Sequence, residues 1–266
     1  MNKDQAIGIY DSGIGGLTVA SAINQVMPNE SMIYFGDTAH LPYGDKSAKL
    51  IKEYSIKITD FLLAQDVKLI IIACNSASST AYETVKKRVA GKIEVFNVID
   101  PVVEHISKQK KLKTVGIIGT KATIRASAYK KKIAISRPDV HVKSMATPLL
   151  APMVEEGFFN NNISQTVINN YLSNKKLKGI ESLVLACTHY PLIKKEIKNY
   201  YDDKVEIINS ADVMAERVRA YLSKKKLLRT KARPKKQFFV SDYTSSFEKS
   251  TKIFFKGKIH LELKKL

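Results

Sequence analysis

The two cysteines of this chain have the most chemistry to offer. Cys74 ends the run "KLIIIAC" and Cys187 ends "SLVLAC". Each follows an alanine, and each precedes a polar cluster, "NSAS" in one case and "THYP" in the other. A lone cysteine is more often a small buried hydrophobe than a reactive group. Two in the same setting, 113 residues apart, point to a paired role. A thiol placed where an inner strand gives way to a helix feels the helix dipole and its free N–H groups. That is expected to lower its pKa and make thiolate available. A disulfide needs Cα atoms within ~7 Å, which opposed strand ends rarely meet. A zinc site needs about four ligands, and no CxxC or HxxxH supplies them. A pair of acid/base groups facing one substrate from opposite sides fits best. One thiolate removes a proton from carbon, one thiol delivers a proton to the other face, and the product is the mirror image.

The elements that must hold such a pair are legible. Strand-like runs occur at 6–11, 32–37, 68–74, 94–99, 114–120, 141–146, 182–187, 205–209 and 237–242, with amphipathic segments between most of them. In 49–65, Ile51, Tyr54, Ile58, Phe61 and Leu62 follow the spacing of a one-sided helix. Strands alternating with helices predict an α/β fold with parallel sheets and helices on both faces. "LIIIA" and "SLVLA" do not alternate, so they are expected to be central strands buried on both sides. Ligands of open α/β sheets bind beyond the carboxyl ends of such strands.

The features are also doubled. "IGIYDSGIGG" opens one series, and Cys74 comes 63 residues after Asp11; "VGIIGTKAT" opens another, and Cys187 comes 68 residues after Gly119. Two similar doubly wound lobes related by a rough internal repeat are expected, with the active site in the cleft between them. The first lobe would comprise 1–98 with 210–266 returning to complete it, and the second 99–209, starting near Pro101.

The polar turns suggest what is bound. "DSGIGG" (Asp11, Ser12) closes a strand and opens a helix, where glycine lets backbone N–H groups approach an anion. It is neither GxGxxG nor a P-loop, and a plain strand-to-helix turn reads the same way. "GDTAHLPYGDKS" carries Asp37, Pro42, Tyr43 and Gly44, "GTKAT" carries Thr120 and Thr123, and "ACNSAS" adds Asn75 and Ser76. Arg and Lys are almost absent from these turns. A small carboxylate would be held by backbone N–H groups, hydroxyls and an amide, and an ammonium would need an acid such as Asp11.

Taken in order, "IYDSGIGGLTV", "YFGDTAHLPYG", "IIACNSAS", "IGTKATI..SAY", "PLLAPMVEEG" and "LACTHYPL" resemble the glutamate racemases, of the cofactor-independent aspartate/glutamate racemase superfamily, over essentially the whole chain. The resemblance implies that Cys74 and Cys187 are the catalytic acid/bases, the first acting on the D-enantiomer and the second on the L-enantiomer. It implies that Asp11, Ser12, Tyr43, Gly44, Asn75, Ser76, Thr188 and His189 contact substrate, joined by Pro42, Thr120 and Thr123 from the same turns. Asp11 and His189 resemble groups that tune the thiols, and Asp37 and Glu155 match acids with a secondary role. His189 as a packing residue and Glu155 as a solvated helix acid are the plainer readings. Tyr190 and Pro191 read as structural. Ser76 stands where the family commonly has Thr; the hydroxyl survives, and the lost methyl is expected to loosen the pocket. No cofactor and no metal are implied. The implied role is supply of D-glutamate for peptidoglycan, and a homodimer is the expected assembly.

Composition sets the remaining bounds. The 266 residues carry a formal charge of +19. Residues 223–266 hold 14 Lys and Arg against 3 Asp and Glu, densest in "KKKLLRTKARPKK" (224–236). A solvated helix end and linker is the plain reading of that run, and no aromatic interrupts it to stack bases. The alternatives are a racemase for another acidic amino acid such as aspartate, or a nucleic-acid-binding protein using the basic run, to which the family resemblance adds gyrase binding; no motif supports either kind of binding. A thiol redox enzyme would need the missing CxxC. No apolar run approaches the ~20 residues of a membrane span, and no signal-peptide pattern is present. Two cysteines form no disulfide framework, so a reducing cytoplasm is the expected compartment.

Overall fold

The computed structural model describes residues 2–257 and 259–266. Ten strands are present among them: β1 Ile7–Asp11, β2 Met32–Gly36, β3 Leu69–Ile72, β4 Glu94–Asn97, β5 Thr114–Gly119, β6 His141–Ala146, β7 Ser182–Ala186, β8 Glu206–Asn209, β9 Lys236–Val240 and β10 Leu261–Leu263. The first nine fall where the apolar runs place them. The tenth is three residues of "LEL", too short to give a period. Helices connect the strands: α1 Leu17–Val26, α2 Ala48–Ala64, α3 Asn75–Val89, α4 Ile99–Lys108, α5 Lys121–Ala126, α6 Ala128–Ser136, α7 Leu150–Glu155, α8 Asn162–Leu172, α9 Lys194–Tyr200, α10 Ser210–Lys224 and α11 Ser245–Phe254.

The strands form two sheets, ordered β10-β9-β2-β1-β3-β4 and β6-β5-β7-β8, and every pairing is parallel. The order β2-β1-β3-β4 in one sheet is repeated as β6-β5-β7-β8 in the other. β3 and β7, which lead to the two cysteines, therefore hold equivalent inner places beside the first strand of each repeat. The strand order reverses beside them, the point at which open α/β sheets bind ligands. β9 and β10 extend the first sheet beyond β2.

Both faces of these inner strands are buried, and successive residues feed different cores. Leu69 and Ile71 face one apolar cluster, and Ile70 and Ile72 another. Leu183 and Leu185 join the same cluster as Leu69, while Val184 and Ala186 join a third. The first of these clusters thus takes side chains from both sheets, together with Leu17, Ala20 and Ile23 of α1 and Met214, Val218 and Leu222 of α10. α2 buries Ile51, Ile58 and Leu62 as the sequence predicts, while Tyr54 and Phe61 are half-buried.

The amino ends of the strands are clamped by an ion pair. Lys68, fully buried, donates to Glu30 and to the carbonyls of Lys3 and Leu227, the last two at 3.0 Å. Glu30 also accepts the backbone N–H of Arg229 at 2.8 Å, and Arg229 and Lys231 both pair with Asp4. Part of the basic run is thereby tied down as it crosses back to β9. Removing one partner of a buried pair leaves an uncompensated charge. Lys68→Met is expected to cost about 3–5 kcal/mol in chemical denaturation, and adding Glu30→Leu is expected to recover part of the loss.

Candidate active site

Cys74 and Cys187 line one cavity of about 240 Å³, together with Ser12, Tyr43, Asn75, Ser76, Thr188 and His189, among others. Wider, more open depressions of about 530 to 630 Å³ lie on the surface away from both cysteines. Pro42, Gly44, Thr120 and Glu155 also reach the cavity. Asp11, Asp37 and Thr123 stand behind its wall. Among the described residues, no Lys or Arg lines it.

Each cysteine sits just past the end of its strand. Cys74 caps α3, and its sulfur accepts the N–H of Ala77 at 3.4 Å and faces the Ser12 hydroxyl at 3.7 Å. The expected lowering of its pKa is not what the structure shows. Burial pushes the Cys74 thiol up to about 12, and the negative charges of Asp11 and Cys187 add to the push. The helix N–H and Ser12 act the other way but are outweighed. Cys74 is thus a thiol, a proton donor.

Cys187 has a different neighbour. Its sulfur lies 3.6 Å from Nδ1 of His189, whose Nε2 is 2.8 Å from Glu155 Oε1. Burial works against a charged imidazole here, but the Cys187 sulfur and the close Glu155 carboxylate overcome it and hold the His189 pKa at about 10. The Phe254 ring of α11 meets the imidazole edge-on at 5.4 Å. His189 also rests on Gly15. A Cβ there would come within 2.4 Å of His189 Cε1 and 2.7 Å of the Thr188 hydroxyl, so only glycine lets this backbone approach so closely. Gly44 meets the second sheet in the same way, since a Cβ would lie 2.8 Å from Thr120 Cβ.

The acids behind the wall hold its parts. Asp11 is fully buried, and its Oδ2 accepts the N–H groups of Gly16 at 2.9 Å and Gly13 at 3.3 Å. Burial raises its pKa, while His189 and these N–H groups oppose the rise. Asp37 accepts the Tyr43 hydroxyl at 2.6 Å and the Ser241 hydroxyl at 2.7 Å, and pairs with His40 at 2.8 Å. It fixes Tyr43 in the wall and fastens that loop to the end of β9. Polar bonds join elements of the two sheets. Ser76 Oγ lies 2.8 Å from Thr120 Oγ1 and 3.3 Å from Thr123 Oγ1. Thr18 donates to the Thr188 carbonyl at 2.9 Å.

Residues that sequence reasoning missed include Gly13, Leu41, Ala151 and Pro152 in the wall, and Tyr129, Ser241 and Phe254 behind it. "DSGIGG", "HLPYG" and "PLLAPMVEEG" carried the wall residues in plain view; Tyr129 ends the quoted "IGTKATI..SAY" with nothing to show its role, and Ser241 and Phe254 gave no local signal.

The comparisons with known proteins decide the family. The Asp/Glu/Hydantoin racemase family model matches residues 17–218. A glutamate racemase of Geobacter metallireducens is 41% identical over 256 residues, covering 96% of this chain and 94% of that one. The chain belongs to the Asp/Glu/hydantoin racemase family, among the glutamate racemases. The crystal structure of the Francisella tularensis glutamate racemase in complex with D-glutamate matches at a TM-score of 0.90 and 37% identity, covering 98% of this chain and 97% of that one. A Bacillus anthracis glutamate racemase isoform matches at 0.92 and 32%, covering 100% and 99%. This member of the family carries its two thiols at equivalent strand ends in unequal surroundings, one beside a carboxylate and one beside an imidazole.

Because the folded His189 pKa lies above its ordinary value of 6.5, its charged form stabilises the fold fully below about pH 6.5, and that contribution drains away as pH rises toward about 10. The stability advantage of the native chain over His189→Gln is expected to shrink steadily across that window. Urea midpoints at pH 6, 8 and 10 measure it; an advantage that grows with pH would contradict the assignment.

Proposed function

We propose that this racemase interconverts L- and D-glutamate by two-thiol proton transfer at Cα, with Cys187 serving the L-enantiomer and Cys74 the D-enantiomer. The observation that carries the reading is that cysteines from equivalent strands of two similar sheets face one small cavity. With L-glutamate bound, Cys187 takes the α-proton and the Cys74 thiol gives its proton to the opposite face. The sulfur charges have then exchanged, and the enzyme is set for the reverse direction. To reset, Cys187 gives up one proton and Cys74 regains one; the His189 imidazolium, 3.6 Å from Cys187, favours the thiolate there and so the return to the starting state. On the other side, the substrate ammonium offsets the Asp11 charge, which adds to burial in keeping Cys74 protonated.

The weak acidity of the α-hydrogen is met by placement, by exclusion of water and by neutral donors around the carboxylate. Ser12, Asn75, Thr120 and Thr188 are those donors, and Asn75 Nδ2 is buried with no partner of its own. Lobes comprising 1–98 with 210–266, and 99–209, open and close around the substrate. Asp37 and Glu155 act through Tyr43 and His189. The chain works in the reducing cytoplasm, as a homodimer, and its D-glutamate goes to peptidoglycan. Among the described residues, no helix is long and apolar enough to cross a membrane.

Incubation with L-glutamate in D2O without added cofactor is expected to deuterate Cα and abolish optical rotation. Glutamate that stays protonated and optically unchanged would sink the reading, and aspartate in parallel tests specificity. Cys187→Ser and Cys74→Ser are each expected to abolish turnover of both enantiomers while leaving glutamate binding within about tenfold.

A further inference from the structure

Asn75 presents its side chain to the cavity, but which end of the amide faces the substrate is decided elsewhere. Its Oδ1 lies 2.7 Å from the hydroxyl of Tyr129. Tyr129 belongs to α6, on the second sheet, and its ring is buried in the apolar cluster with Ile99, Val102, Ile133 and Val184. The helix follows a single left-handed residue, Ser127 at φ 56°, which turns α6 sharply away from α5. Only the tip of the Tyr129 ring leaves that cluster, and it crosses to the first residue of α3.

A buried phenol carries a proton that needs an acceptor, and leaving it unmade costs about 1–3 kcal/mol. Burial also keeps Tyr129 protonated, raising its pKa above the ordinary value, with the charge of Asp100 adding to the effect. Asn75 Oδ1 is the acceptor the structure offers to this hydroxyl. A flipped amide would set its own NH2 against the phenol and leave the phenol proton with nothing to bond. The hydroxyl therefore fixes the amide with Oδ1 toward α6. Nδ2, buried and without a partner, is left as a donor.

We propose that Tyr129 is a positioning residue that orients the Asn75 amide so that Nδ2 donates to a carboxylate of the bound substrate. The proposal rests on the reading that glutamate occupies this cavity. Tyr129 touches no substrate atom; it removes the alternative in which a carbonyl oxygen meets a carboxylate and repels it. A residue of one sheet thereby sets a substrate contact of the other.

The test is a double-variant cycle on the full chain, with KM and kcat measured for L- and D-glutamate. Tyr129→Phe keeps the ring and removes only the hydroxyl. It is expected to raise KM about 3- to 10-fold, with kcat changed less than about twofold. Asn75→Ala is expected to raise KM at least as much. In the Asn75→Ala background, Tyr129→Phe is expected to have no further effect on KM. A full Tyr129→Phe effect in that background would mean that the hydroxyl serves packing alone, and would overturn the proposal. So would an unchanged KM in Tyr129→Phe or in Asn75→Ala. Failure of the wild-type chain to racemise glutamate is a separate result, and would remove the substrate reading itself. Thermal melts of each variant establish that the altered kinetics come from folded protein.

Discussion

A hydrogen on a carbon beside a carboxylate can change faces only if one group takes it and another supplies its replacement from the opposite side, with water kept out of both paths. The cleft answers to that constraint. Each acid/base must be held firmly within its own lobe so that closure brings both to one carbon, and two inner strands, each buried on both faces, hold them. The repetition of strand order between the sheets is what makes the two thiols equivalent in position. The shared apolar cluster that runs from Leu69 to Leu183 keeps the sheets in register with one another.

Equivalence of position is not equivalence of environment. Asp11 ends β1 and lies near Cys74, whereas the matching strand β5 ends at Gly119 and is followed by Thr120. His189 stands beside Cys187, where the first repeat has Ser76. One sulfur is therefore stocked with a proton and the other is placed beside a group that can move one. A proton transfer in either direction needs that inequality, because two sulfurs in the same state could not act as base and acid at once. The fold supplies symmetry, and a handful of side chains break it.

The strands and the two cysteines were legible because the signals are local: an apolar run long enough to show no alternation, ending in Ala-Cys and a polar turn. The doubling was legible for the same reason. The direction of the Cys74 pKa was not, because the helix end that favours thiolate is visible in sequence and the burial that opposes it is not. The roles of Tyr129, which ends the quoted "IGTKATI..SAY", and of Ser241 and Phe254 escaped notice because each acts on a residue far away in the chain. Ser241 reaches Asp37 across 204 positions, and Tyr129 reaches Asn75 across 54. Nothing local distinguishes a tyrosine that fills a core from one that fills a core and aims its hydroxyl at a neighbour. β10 was missed because three residues cannot display a period.

Among the described residues, lysine and arginine are absent from the cavity wall, and this divides the handling of an anion between two ranges. A chain of +19 raises the concentration of small anions around itself through a field that salt screens over about 8 Å at physiological ionic strength. Inside the cavity the grip passes to hydroxyls, an amide and backbone N–H groups, whose short-range bonds ionic strength barely touches. Arrival is thus governed by the solvent's salt and residence by the wall. The imidazolium of His189 is already engaged by Cys187 and Glu155, so the ligand's carboxylates are held by neutral donors and can be released as readily as they were bound. That suits a reaction whose two sides are mirror images, of equal free energy in water, so that turnover in either direction depends on letting go.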